Sequence, residues 1–98
     1  MSSEKRTSVP NSLNEHWMPF SSNKEFKENP RLIVEAKGVY LKNHQGQTQI
    51  DASSGLFCNP LGHGRQEIIE AISNQLKTLD YCQPFQQGFG GSFELATK

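Results

Sequence analysis

From Gln66 onward the apolar positions repeat with the period of a helix. Ile68, Ile72, Leu76 and Leu79 follow one another at spacings of 4, 4 and 3, and Ile69 widens the stripe. Glu67, Glu70, Asn74 and Lys77 fall outside it. A 3.6-residue period brings such positions to one face, so the pattern predicts an amphipathic helix over about 66–79. Upstream the pattern is that of a sheet. Leu32-Ile33-Val34, Val39-Tyr40-Leu41 and Thr48-Gln49-Ile50-Asp51 are short and rich in β-branched and aromatic residues. Turn residues separate them, Lys37-Gly38 first and Asn43-His44-Gln45-Gly46 second. Three short strands with tight turns predict an antiparallel meander over about 31–51.

The remaining stretches connect these elements. Met1 to Asn14 is polar and reads as a disordered tail over 1–14. His16-Trp17-Met18-Pro19-Phe20 is an apolar patch in which Pro19 blocks a long helix, and Ser22 or Asn23 is placed to cap one short helical turn before Pro30. Residues 52–65 hold Gly55, Pro60, Gly62 and Gly64 and read as a loop. Residues 80–91 read as a second loop. Its aromatics Tyr81, Phe85 and Phe89 recur every four residues, as does Phe93, but Pro84, Gly88, Gly90 and Gly91 contradict a helix. Ser92 looks like the N-cap of a helix beginning over 92–98.

Composition narrows the function. Ten Lys+Arg balance ten Asp+Glu, which gives no electrostatic reason to expect nucleic acid or an anionic membrane as partner. No apolar run approaches the ~20 residues of a membrane span. With no signal-peptide core, the two cysteines are expected as free thiols in a reducing, cytoplasmic setting. Hydrophobic residues are 34% of the 98, so only a small core is expected.

The candidate chemistry is thin. Cys58 and His63 lie five apart, but thiol–imidazole pairs usually come from distant positions, and a packed free cysteine is the simpler reading. His16, His44, His63, Cys58 and Cys82 show no zinc-ligand spacing, so no metal is expected. Gly88-Phe89-Gly90-Gly91-Ser92 precedes a helix start, yet matches no phosphate-binding fingerprint. In Gly62-His63-Gly64 the imidazole either contacts a ligand or fixes the loop by hydrogen bonds, with the second favoured. Leu56-Phe57 is a core plug or a pocket wall.

Taken in order, the segments resemble those of one enzyme family. His16-Trp17-Met18-Pro19-Phe20, Pro30-Arg31-Leu32-Ile33-Val34 and Gly38-Val39-Tyr40 are similar to the opening of the omega-amino acid–pyruvate (beta-alanine–pyruvate) aminotransferases. Asp51, Gly55-Leu56-Phe57-Cys58 and Gly62-His63-Gly64-Arg65 resemble that family's D-x-x-x-G-L-W-C … G-H-x-R/P stretch. Glu67-Ile68, Ala71-Ile72, Leu79-Asp80-Tyr81 and Phe85-Gln86 continue the likeness.

The resemblance implies a class III, pyridoxal-phosphate-dependent transaminase of fold type I, an α/β fold of which residues 15–98 would be the N-terminal segment. It implies a homodimer, a small amino donor such as β-alanine, and pyruvate as acceptor. By the same resemblance Phe20, Leu56, Phe57 and Phe85 are substrate-pocket walls. None is an acid, base or nucleophile, so no catalytic residue is expected here. Phe57 stands where the family has Trp, and Gly88-Phe89-Gly90-Gly91 stands where it often has Gly-His-Pro. No lysine here matches the family's Schiff-base lysine, which implies that this chain alone neither binds the cofactor covalently nor transaminates. The alternative is a small non-catalytic interaction module that uses Trp17, Phe20, Phe57, Phe85 and Phe89 as a sticky surface.

Overall fold

The computed structural model describes residues 8–98, so the first half of the expected tail lies outside the described residues. Residues 11–15 form a turn: Asn11 Oδ1 accepts from the Leu13 N–H at 2.9 Å, and the Ser12 hydroxyl donates to the Glu15 carboxylate at 3.2 Å. The chain divides into two units, Met1–Arg65 and Gln66–Lys98.

The first unit begins with α1 (Asn23–Glu28). Ser22 occupies its N-cap but makes no side-chain cap bond. Asn23 acts instead. Its Oδ1 accepts from the Met18 N–H at 2.8 Å, and its Nδ2 donates to the carbonyls of Met18 and Ser21 at 3.0 and 3.2 Å. This is the amide's answer to Pro19: the chain cannot continue as a helix through 18–22, and Asn23 satisfies the backbone groups left over. Its residue is 7% exposed.

The meander follows as β1 (Ile33–Lys37), β2 (Tyr40–Asn43) and β3 (Thr48–Ile50), antiparallel in the order β1-β2-β3. Its strands are shifted from the expected positions. Lys37 pairs with Tyr40, so β1 runs past Val34 and Val39 lies in the turn. Backbone pairing across a two-residue turn overrides the β propensity of Val39. Asn43 closes the second turn, where its Oδ1 accepts from the N–H groups of Gln45 and Gln47 at 3.1 and 2.9 Å. Residues 52–65, expected as loop, contain one short element, α2 (Ser54–Phe57).

The second unit holds α3 (Gln66–Thr78) and α4 (Gly90–Ala96). In α3 the stripe Ile68, Ile69, Ile72 and Leu76 is exposed. Helix α4 starts two residues before the expected cap: Phe89 is the N-cap, and the Ser92 hydroxyl donates back to the Phe89 carbonyl at 2.7 Å. Gly91 permits this, because a Cβ there would collide with the Phe89 ring. No apolar side chain is buried among the described residues. No helix among them is long and apolar enough to cross a membrane.

Candidate functional site

The loop after β3 is the most constrained part of the first unit. Ser54, Gly55, Leu56 and Phe57 have φ of 51°, 59°, 58° and 66°. Gly55 and Leu56 have ψ of 43° and 51°, so α2 is a left-handed turn. An L-residue in this conformation costs about 1–2 kcal/mol, and three of the four carry side chains. Burial does not offset that cost, since Leu56 and Phe57 are 75% and 84% exposed.

Polar groups hold the turn. The Phe57 N–H donates to the Ser53 carbonyl at 2.9 Å, and the Asn59 N–H to the Ser54 carbonyl at 2.8 Å. Asp51 serves the leading end, where its Oδ1 accepts from the Gly55 N–H at 3.1 Å. Its Oδ2 accepts from His63 Nε2 at 2.8 Å. Asn59 Nδ2 donates to His63 Nδ1 at 2.8 Å. With Nδ1 accepting, the imidazole proton sits on Nε2 and points at Asp51. The Asp51 side chain is 7% exposed. The His63 hydrogen bond holds its carboxyl below the ordinary value near 3.8, and the Gly55 N–H adds to this.

His63 also ties the loop to the meander. Its N–H donates to the Gly38 carbonyl at 2.8 Å and its carbonyl accepts from the Gly38 N–H at 2.9 Å. Gly62 permits that approach: its φ is +87°, and a Cβ there would stand 3.3 Å from the Gly38 oxygen. His63 thus takes the loop-fixing role. Both ring nitrogens are occupied, so it is no base for Cys58, whose exposed thiol donates to the Leu56 carbonyl at 3.6 Å. Among the described residues no three His, Cys, Asp or Glu converge on a common point.

The four expected wall residues are placed as follows. Leu56 and Phe57 are neighbours on the left-handed turn. Phe20, also at positive φ (51°), borders a cavity of about 490 Å³ with Glu25, Phe26, Asn29 and Arg31. Phe85 belongs to the second unit and is exposed. Asp51 and Asn59 were not legible as site residues. Asp51 opens the motif stretch quoted above but carried no role there, and Asn59 is signalled only by its place before Pro60; both are residue types that bond to nearby backbone.

No protein-family model matches the chain. Individual proteins do. The chain is 49% identical over 86 residues to a beta-alanine–pyruvate aminotransferase of Pseudomonas aeruginosa, which takes in 88% of this chain and 19% of the relative. It is 48% identical over 86 residues to an omega-amino acid–pyruvate aminotransferase of Pseudomonas putida, with the same coverage. The chain therefore spans about one fifth of the length of these curated relatives. Among solved structures, the omega transaminase of Pseudomonas jessenii in complex with PMP matches with a TM-score of 0.79 at 28% identity, over 90% of this chain and 20% of that one. An adenosylmethionine-8-amino-7-oxononanoate aminotransferase from Methanocaldococcus jannaschii matches with a TM-score of 0.77 at 36% identity, over 84% of this chain and 19% of that one.

A pyridoxal phosphate site needs an amine, an acid for the ring nitrogen and donors for the phosphate, gathered in one cavity. Lys42, Lys27 and Asp51 do not provide this set. Lys42 lies 3.9 Å from Glu35 at the surface, and Lys27 stands over the Trp17 ring at 5.8 Å. Asp51, the carboxylate held most firmly, already spends both oxygens on His63 and Gly55. By themselves these residues do not fit the cofactor. In sequence and in fold, the chain is similar to the N-terminal region of the omega-amino acid–pyruvate aminotransferases.

Proposed function

We propose that this chain supplies the N-terminal, substrate-facing part of a transaminase that moves an amino group from an omega-amino acid or amine to pyruvate. The family's cofactor is pyridoxal phosphate, held by residues other than those described here. In this reading Phe20, Leu56, Phe57 and Phe85 are walls of the amine pocket and no residue of the chain is acid, base or nucleophile. The working unit is a homodimer. Apolar walls select by shape, and one methylene of misfit is worth about 1–3 kcal/mol.

The observation that carries the reading is the 49% identity sustained over 86 residues. The outward-held pair Leu56 and Phe57 supports it: strain at an exposed apolar turn is typical of binding sites. The interaction-module reading has less support, since a module that folds alone needs a core of its own, and no apolar side chain is buried among the described residues.

A chimaeric holoenzyme tests the reading. The segment of this chain that aligns with the Pseudomonas putida enzyme replaces its counterpart there. Transfer of the amino group of β-alanine to pyruvate is expected. A folded, cofactor-loaded chimaera that transaminates no amine overturns the proposal.

A further inference from the structure

The left-handed turn poses a question of cause. Three residues with side chains sit in a conformation that L-residues avoid, and the two large ones face outward. Packing therefore does not hold them there. The remaining agents are hydrogen bonds; apart from the long ones of the Ser53 hydroxyl (3.4 Å) and the Cys58 thiol (3.6 Å), those from side chains involve Asp51, Asn59 and His63.

We propose that Asp51, Asn59 and His63 are positioning residues that hold Leu56 and Phe57 in place and so set which amines the pocket wall accepts; this rests on the aminotransferase reading above. The connections form a closed circuit. His63 is fixed to the meander through both backbone bonds to Gly38. Its Nε2–H reaches Asp51, whose other oxygen holds the Gly55 N–H inside the turn. Its Nδ1 accepts from the Asn59 side chain, and the Asn59 N–H holds the Ser54 carbonyl at the turn's other face. Both arms therefore end on one peptide group, Ser54–Gly55, which they hold by its N–H and by its carbonyl just ahead of Leu56. A side chain with a single polar atom cannot do both.

The geometry also explains why the carboxylate is hidden. Asp51 lines a crevice of about 40 Å³ together with Gly38, Val39, Ser54, Asn59 and His63. A carboxylate withdrawn from water is unfavourable unless it is fully bonded. This one is largely covered by its neighbours and catalyses nothing in the reading above. What the circuit delivers is orientation of the two apolar side chains.

The test uses the chimaeric holoenzyme with His63→Ala, Asn59→Ala and His63→Gln. Gln offers one donor and one acceptor and can take both imidazole bonds. Two probe donors, β-alanine and 1-phenylethylamine, are compared by kcat/KM with pyruvate as acceptor. Both alanine variants are expected to change the ratio between the two amines at least tenfold, mainly through KM, while the absorbance of the bound cofactor stays the same. His63→Gln is expected to keep the ratio within threefold. Hydrogen exchange supplies an arm independent of activity: the 52–60 peptide loses protection in the alanine variants, and the 33–43 peptide does not. Folded alanine variants with an unchanged amine ratio, or with unchanged protection over 52–60, overturn the inference. A parent chimaera without activity counts against the aminotransferase reading alone. The exchange arm then decides whether the circuit holds the turn, and loss of the selectivity role follows with that reading.

Discussion

His63 Nε2 lies 2.8 Å from Asp51 Oδ2, across twelve residues of chain. The contact closes the loop between β3 and α3 on itself and brings Gly62 against Gly38. Its protonation behaviour follows from the bond. The folded carboxyl of Asp51 titrates below its ordinary value near 3.8, so its contribution to stability is present above that value and is lost as pH falls through the lowered one. Urea unfolding midpoints of the chimaeric holoenzyme should therefore drop more steeply below pH 4 than those of its Asp51→Asn variant. Parallel curves for the two proteins would contradict this.

Gly62 carries the close approach. Gly62→Ala places a Cβ 3.3 Å from the Gly38 oxygen at a φ of +87°. The expected loss is about 1–2 kcal/mol, read as a lower denaturation midpoint. An unchanged midpoint would show that the 62–64 crossing relaxes freely.

Asn23→Ala removes three hydrogen bonds to Met18 and Ser21 and leaves those backbone groups unpaired beside α1. An unsatisfied buried polar group costs about 1–3 kcal/mol. The same denaturation assay reads this loss. Proteolysis within 16–22 should also accelerate, and equal cleavage rates would contradict it.

These sites differ in how far they could be foreseen. The stripe of α3 was legible because its period reports which face is apolar, and the meander because β-branched and aromatic runs stood between turn residues. The left-handed turn was not, since Leu56 and Phe57 are residue types that avoid positive φ, and local preference argues against what is observed. The Asp51–His63 bond depends on how the chain turns between 52 and 62, which no spacing rule encodes. Ser92 carried the signal of a helix cap, and the packing of the Phe89 ring against Gly91 moved the start of α4 upstream.

Phe57→Trp introduces the larger ring that the family resemblance implies at this position, and under the proposed pocket role its effect can be read. A larger wall disfavours a bulky donor, and the expected change in the kcat/KM ratio of 1-phenylethylamine to β-alanine is about tenfold, the lower end of what one methylene-sized misfit commands. A ratio that does not move would place Phe57 outside the amine pocket.

Lys42 and Lys27 are surface groups engaged with Glu35 and Trp17. Incubation of the 98-residue chain with pyridoxal phosphate followed by borohydride reduction should yield no stoichiometric adduct at one lysine. A single labelled lysine in the peptide map would contradict this.

The backbone at Leu56 and Phe57 limits which side chains these two positions can carry. Bulky side chains are outliers at positive φ and β-branched ones are too, and with a second heavy atom on Cβ Ile and Val are the apolar residues most disfavoured at both positions. Asn and Gly are comfortable there but supply no apolar surface. Selection at these two apolar positions is left with side chains unbranched at Cβ, a vocabulary censored by the peptide chain before any function has its say.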